Sequence, residues 1–546
     1  MARLRSRIAV AVLALVGVAP ACGRSGGEGD GRPGRDGSDP RPDLLVMIVV
    51  DQLSQELLDR YADLYAGGFR RLLDHGRVYV NATHDYGATK TAPGHATLST
   101  GVYPSRHGII ANEWYERSGD GWVEISNVGD SSARIVGHPD LPGVSPHRLM
   151  RSGFADWLRD AEPRSIVASV SPKDRSAVLP AAHVRGHVFW FEPTIGRFVT
   201  SEFYADDTPG WLDGFHREEL RAFTDDTVWA STVPEAARGR SSPDTAAHEG
   251  DGTHTFFPHR FSAEGRPGSE AGDNAAFWDW FEETPMLDDL TLRLAETMVE
   301  ELDLGDDEVP DFLNVSLSAT DRVGHDYGPR SREQLDNLLR LDRELGEFFE
   351  FLDRTVGEGD WLVALSSDHG SAVPPEDLWL EGDTTSRRWT PEEEAALDSI
   401  RARADRLGAD TTGLERTVAA LESLGFVEDV WTVKELLETP PADSFAVLMS
   451  RSVYPGRVHE DFGREGVEVL FDAGWLEGLR GTEHGTPRWY DRHVPIVFLG
   501  PGIAAGRDST RASTTDFAPT LAALLGLPVP EGVDGAPLAG ALPRNR

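Results

Sequence analysis

At 546 residues the chain has room for one large domain with insertions or for two to four domains. Its 39% hydrophobic content and 14 Trp describe a packed globular protein and exclude a disordered one. A formal net charge of −38 excludes nucleic acid as a partner, since phosphate binding needs a basic surface; such acidity serves solubility.

The N-terminus reads MARLRSRIAVAVLALVGVAPAC. Arg3, Arg5 and Arg7 precede an apolar run from Ile8 to Ala19 that is short for a bilayer span. Residues 1–22 are therefore expected to be a secretory signal peptide. Cys22, the only cysteine, stands at the expected cleavage point. Two readings of it stand: a lipoprotein-type lipidated cysteine, or ordinary cleavage after Ala21. The mature protein is expected to be exported, either periplasmic or lipid-anchored to the cell envelope. Its only expected membrane contact is a lipid on Cys22, and it needs no disulfides. A Gly/Asp/Arg/Pro-rich linker at 23–42 follows.

The remaining chain, 43–546, opens with LLVMIVVD (44–51). This continuous apolar, β-branched run fits a strand buried on both faces. It ends in Asp51. Next comes YGATKTAPGHATLSTG (86–101), in which Thr91 stands at the mouth of a helix with Pro93 in its first turn. On its own that is either a helix start or the seat of a nucleophile. Residues 113–280, rich in Trp, Gly and charge, read as a large insertion. DDLTLRLAETMVEEL (288–302) reads as a helix, DFLNVSLSATD (311–321) as a strand leading to Asp321, and REQLDNLLRLDRELGEFFEFLDRT (332–355) as a second helix. WLVALSSDHG (361–370) is a strand leading to Asp368 and His369. A second insertion is expected at 372–480, with an acidic helix at 390–407. VPIVFLGPG (494–502) is another strand. Strands alternating with helices predict an α/β, doubly wound, mostly parallel sheet flanked by helices, with the insertions forming a cap. In such sheets, sites form beyond the carboxyl ends of the strands.

Three Asp and three His stand after these strands or in Gly-flanked loops. Asp321 and His325 share a helix face by their i, i+4 spacing. Asp368 and His369 are adjacent. Asp51 and His484, the latter in GTEHGTP, complete the set. Singly, each is more often a helix cap or a solvated side chain. Together they suit zinc, and six ligands are enough for two ions. Two ions in one site suit in-line displacement at phosphorus. Thr91 then gains a purpose, since a helix N-terminus and a metal both lower the pKa of its hydroxyl. Only three of the basic residues are Lys: Lys90, Lys173 and Lys434.

VVDQLS, TKTAPGHATLSTGVYPSRHGIIANEWY, SVSPKDRSAVL, SATDRVGHDYGP, SSDHGS, GTEHGT and TTDFAPTLAALLGLP occur in this order. By these motifs the chain resembles the alkaline phosphatase superfamily. Within it, the chain is similar to the PafA-type exported bacterial alkaline phosphatases with a Thr nucleophile. The resemblance implies that Thr91 is the nucleophile and passes through a phosphothreonine. It implies that Asp51, Asp368 and His369 hold the zinc that also touches Thr91. Asp321, His325 and His484 would hold the second zinc; one site admits another divalent metal. Related nucleotide pyrophosphatase/phosphodiesterases share these ligands but lack the SPKDR pair. Lys173 and Arg175, with Asn112, fall where the monoesterase branch carries its phosphate clamp. The extra anionic oxygen of a monoester dianion calls for such cations. The expected substrates are small phosphate monoesters, and the rival reading is a phosphodiesterase on the same fold. His95 and His107 are expected to orient backbone, Lys90 to face solvent, and the aromatic run 189–204 to form insertion core. The sequence carries nothing on oligomeric state.

Overall fold

The apolar run predicted as a strand buried on both faces, β1 (Leu44–Val50), lies in the middle of a ten-stranded sheet, every residue at most 1% exposed. The computed structural model describes residues 41–119, 121–220, 228–250, 254–261, 274–407, 411–460, 463–476, 478 and 480–543. The expected signal peptide with Cys22, and all but the end of the linker, lie outside the described residues. Among those described, no helix is long and apolar enough to cross a membrane.

The other strands are β2 (Arg77–Thr83), β3 (Val167–Ser171), β4 (His187–Glu192), β5 (Arg197–Val199), β6 (Asp311–Leu317), β7 (Trp361–Ser366), β8 (His493–Leu499), β9 (Gly506–Asp508) and β10 (Ala512–Ser513). Their order is β9-β2-β8-β7-β1-β6-β3-β4-β5, with β10 also on β2. The stretch β7-β1-β6-β3-β4 is parallel; β8 runs antiparallel to β7 and β2, and β5 to β4. The sheet is thus mixed and mostly parallel, as expected.

Because side chains alternate along a strand, β1 feeds two cores. Leu44, Val46, Ile48 and Val50 meet helices α1 (Gly68–His75), α5 (Met286–Glu301) and α7 (Arg332–Leu352). Leu45, Met47 and Val49 meet α2 (Thr91–Thr100), α3 (Phe154–Ala161), α4 (Asp174–Ala181) and α8 (Phe517–Leu524). Between β6 and α7 runs the short helix α6 (Ala319–Tyr327).

The first expected insertion is corrected in its middle. Residues 167–199 supply β3, α4, β4 and β5, so the aromatic run near 190 is sheet core: Trp190 pairs with Ser171 on one side and Val199 on the other. Buried aromatics on an edge hairpin read like a separate core until the pairing partner is known. Within the stretch 372–480, helix Pro391–Leu407 and strands Val427–Thr432 and Val467–Phe471 stand apart from the main sheet. There Leu421, Phe426 and Val467 form a small core of their own. Strand Arg457–Val458 from this stretch pairs with Glu113–Ser118, so the two expected insertions meet.

A strap at 242–250 underpins α6. Ser242 N–H donates to Arg330 O at 2.8 Å, Gly250 N–H to Asp326 O at 2.8 Å, and Gly481 N–H to His248 O at 2.9 Å. Inside the strap Glu249 is fully buried, with neither carboxylate oxygen hydrogen-bonded. Burial, reinforced by Glu333 and Asp377, pushes it up to about 10. A carboxyl raised in the folded state contributes its full stability below its unfolded value. That stability is lost as pH rises toward the folded value. Glu249→Gln is therefore expected to gain Tm over the wild type, with the gap widening from pH 5 to pH 9 in thermal melts. A constant gap would remove Glu249 as the source.

Candidate active site

Four neighbouring parallel strands deliver the site. Asp51 follows β1, Asp321 follows β6, Asp368 follows β7 and Lys173 follows β3. The register Val49↔Ser366, carried two residues on, aligns Asp51 with Asp368. The register Val50↔Leu317, carried on, aligns Asp51 with Ser318, at the entrance of α6. That entrance is capped from α5: Asp288 accepts from Ser318 N–H at 2.8 Å and from Ala319 N–H at 3.1 Å. Asp321 and His325 then share one face of α6, with His325 Nε2 3.1 Å from Asp321 Oδ1.

Two groups of ligand atoms converge, each within 4.8 Å: Asp321, His325 and His484, and Asp51, Asp321 and His369. The first is the expected second-metal set. The second takes Asp321 where the sequence put Asp368; Asp368 Oδ2 stands 3.8 Å from His369 Nε2 and borders this group. The two sites therefore adjoin through Asp321.

The imidazoles are already turned for ligation. His325 Nδ1 lies 2.9 Å from Thr482 O, His369 Nδ1 3.0 Å from Gly370 O, and His484 Nδ1 2.8 Å from Thr89 O. A carbonyl can only accept, so each Nδ1 carries a proton and each ring turns its Nε2 inward. Backbone anchoring of this kind is how metal-ligating His is oriented. Among the buried atoms without hydrogen-bond partners here are Asp51 Oδ1, Asp368 Oδ2 and His369 Nε2. They are the three ligands the sequence assigned to the first ion. Orphaned lone pairs of N and O type fit a divalent cation.

The electrostatics agree. Burial, reinforced by Asp321 and Asp368, holds Asp51 well above the usual carboxylate range. Burial also opposes ionisation of Asp321, but Lys173 and His325 outweigh it and hold Asp321 well below. His369 and His95 do the same for Asp368 against its burial. Burial and the neighbouring rings His369 and His325 push His484 well down. Burial opposes protonation of His325 too, yet Asp321 lifts it to about 9, and a bound cation takes the place of that proton. Lys173 Nζ bridges Asp51 Oδ2 at 2.5 Å and Asp321 Oδ2 at 2.6 Å. One ammonium thus spans two of the three buried carboxylates.

Thr91 is the first residue of α2 and 2% exposed. The helix lies against the strand ends because its residues are small. A Cβ on Gly94 would come within 2.7 Å of Asp368 Cα. His95 donates from Nδ1 to Thr91 O at 2.9 Å, and the same nitrogen lies 3.2 Å from Asp368 Oδ2. His107 Nδ1 accepts from Ile109 N–H. Both histidines thus orient backbone, as expected. Lys90 is partly exposed and pairs with Glu460 at 2.8 Å in a solvent-exposed ion pair. Arms of a neighbouring insertion capture it, which the local sequence does not reveal.

Of the three clamp candidates, Lys173 and Arg175 stand at the start of α4, which packs against α2, and Asn112 bonds to α2 directly. Asn112 Oδ1 accepts from Ala92 N–H at 2.9 Å, which leaves the amide NH2 to face away from that bond. Arg175 is in the first turn of α4, its Nε buried with no hydrogen-bond partner. Its charge is felt at Glu113, beside Asn112, where burial raises the carboxyl and Arg175 opposes it. One residue in the pocket escaped the sequence reading: Gln52, whose side chain donates to Asp321 Oδ1. Adjacency to Asp51 was its only signal.

The sequence profile of the type I phosphodiesterase / nucleotide pyrophosphatase family matches residues 45–475. Alkaline phosphatase PafA of Elizabethkingia meningoseptica is 32% identical over 540 residues, covering 92% of this chain and 95% of that protein. Alkaline phosphatase PhoV of Synechococcus elongatus is 31% identical over 518 residues, covering 91% and 92%. A crystal structure of a PafA variant with one Thr, one Asn, one Lys and one Arg replaced matches with a TM-score of 0.82 at 29% identity. It covers 92% of this chain and all of that one.

Gly94→Ala tests the close approach of α2 to Asp368. The added methyl is expected to displace the Asp368 backbone and cut bound metal, read by elemental analysis, while circular dichroism keeps the wild-type helix content. Full metal retention would mean that the helix has slack the packing does not suggest.

Proposed function

The chain belongs to the type I phosphodiesterase / nucleotide pyrophosphatase family, and within it we infer an alkaline phosphatase that hydrolyses small phosphate monoesters with Thr91 as nucleophile. The observation that carries the reading is the set of three inward Nε2 atoms and three buried carboxylates gathered beside Lys173 and the α2 mouth. We assign Asp51, Asp368 and His369, with Thr91, to one ion, and Asp321, His325 and His484 to the other. Their mixed N/O donor set favours zinc at both, and one site admits another divalent metal. Ions bound there supply Lewis acidity that offsets charge on the attacking and leaving oxygens.

The chain's own groups do the rest. Thr91 Oγ bonds to phosphorus as the ester oxygen departs, giving a phosphothreonine; water then cleaves that bond and releases phosphate. His95 holds the Thr91 carbonyl and so fixes the first turn of α2. Lys173 commits two of its three donors to Asp51 and Asp321 and has a third for a phosphate oxygen. Arg175 offers a second cation and the Asn112 amide a neutral donor. These three favour a dianionic monoester over a monoanionic diester. The same four residue types, Thr, Asn, Lys and Arg, are replaced in the crystallised PafA variant, in the same chain order. The signal-like N-terminus supports export, with Cys22 as the one candidate lipid attachment site.

Paired kinetics on zinc-loaded protein test the reading. The kcat/KM for p-nitrophenyl phosphate is expected to exceed that for bis-p-nitrophenyl phosphate by several orders of magnitude. Lys173→Ala is expected to lose ~10²–10³-fold of the monoester activity, the scale for removing one preorganised donor, and far less of any diesterase activity. Thr91→Ala is expected to be inactive. A preference for the diester would hand the fold and metals to a phosphodiesterase.

A further inference from the structure

Gln52 follows the ligand Asp51 and is 1% exposed. Its backbone sits at φ 66°, in the left-handed region that a non-glycine residue rarely adopts. Such outliers persist where surrounding contacts fix them, and they cluster at functional sites. Here the contacts are specific. The Gln52 N–H donates to Asp368 Oδ1 at 3.2 Å. The Gln52 side chain crosses to the next strand end and donates from Nε2 to Asp321 Oδ1 at 2.7 Å. Because an ionised carboxylate only accepts, this bond sets the amide orientation. The amide oxygen, Oε1, then faces α6, buried with no hydrogen-bond partner.

The neighbouring helix is shaped around that amide. Gly324 lies between Asp321 and His325 on α6, and a Cβ there would come within 2.9 Å of Gln52 Cδ. One residue thus ties together three carboxylates: Asp51 by covalent adjacency, Asp368 through its backbone, and Asp321 through its side chain. No other described residue hydrogen-bonds to both Asp321 and Asp368.

We propose that Gln52 is a positioning residue that fixes the carboxylates of the two metal sites relative to each other before metal binds. The proposal rests on the two-metal reading above. Gln52 does not touch substrate. It acts by holding Asp321 Oδ1 toward His325 and His484 and by keeping the Asp51 and Asp368 loops in step. The left-handed backbone is the cost of turning both the N–H and the side chain inward from consecutive bonds of one residue.

Three variants test it: Gln52→Gly, Gln52→Glu and Gly324→Ala. Glycine relieves the backbone and removes the amide. Glutamate keeps the shape and sets a carboxylate against Asp321. Alanine at 324 displaces the amide without altering a ligand. Metal content by elemental analysis, zinc affinity by chelator competition, metal-free Tm, and kcat and KM for p-nitrophenyl phosphate are the readouts. Gln52→Gly is expected to keep or raise the metal-free Tm while weakening zinc binding ~10–100-fold, the scale for losing an outer-shell partner of a ligand. Its kcat is expected to fall with KM nearly unchanged. Gln52→Glu should weaken zinc binding further, and Gly324→Ala should reproduce the glycine phenotype. Wild-type zinc affinity in Gln52→Gly would overturn the positioning role while leaving the two-metal reading intact. A wild-type protein that binds fewer than two ions would overturn both, and the stoichiometry of the unmutated protein tells these failures apart.

Discussion

Three carboxylates, those of Asp51, Asp321 and Asp368, are buried side by side at the ends of adjacent parallel strands, and much of the structure answers to that constraint. Like charges in a low-dielectric pocket repel strongly, and removing each from water costs several kcal/mol. The fold nevertheless holds them to at most 4% exposure. It does so by placing them at or just past the ends of β1, β6 and β7, with Asp51 N–H still bonded to Leu317 O at 2.9 Å, where the backbone is fixed by a continuous apolar sheet. Lys173 from the fourth strand spans two of them. Gln52 donates to Asp321 from its side chain and to Asp368 from its backbone N–H. The orphaned atoms of Asp51, Asp368 and His369 mark where an ion completes the balance.

Close packing follows from the same constraint. To bring a hydroxyl to the carboxylates, α2 must lie almost on top of the Asp368 backbone. Its residues are Thr, Ala, Pro, Gly, Ser, His and Leu, all buried. A helix buried all round shows no apolar stripe, and this one is small-residue for reach rather than for propensity. The histidines obey the same logic. His325 and His484 anchor Nδ1 on carbonyls remote in sequence, so their ring directions are set by tertiary structure, whereas His369 anchors on the carbonyl of the next residue, Gly370.

The main elements of the fold were legible because their signals are local. Continuous β-branched runs at 44–50, 311–317 and 361–366 are strands flanked by helices at 286–301 and 332–352, close to the expected ranges. The site residues were legible for a different reason: Asp and His at strand ends stand out against apolar runs. Three things were not. The hairpin at 187–199 looked like part of an insertion because its aromatics pair with β3 across the sheet, and register is a property of two segments. The partner of Lys90 was hidden because Glu460 reaches it from 370 residues away. Gln52 looked like an ordinary polar residue after a strand. Its left-handed backbone and its reach to Asp321 exist only once β1 and β6 are side by side.

The choice of Lys at 173, in a chain that otherwise uses Arg almost throughout, follows from this geometry. The position needs a compact charge that fits between Asp51 Oδ2 and Asp321 Oδ2. An ammonium points its donors tetrahedrally, so two can serve carboxylates on different strands while a third leaves along a new direction. A guanidinium holds its donors in one plane and matches a single bidentate partner. At 173 it would capture one carboxylate and leave the other unbalanced. The SPKDR motif therefore carries two cations of different geometry: Lys173 ties two of the protein's own carboxylates together, and Arg175 keeps a buried Nε without a hydrogen-bond partner.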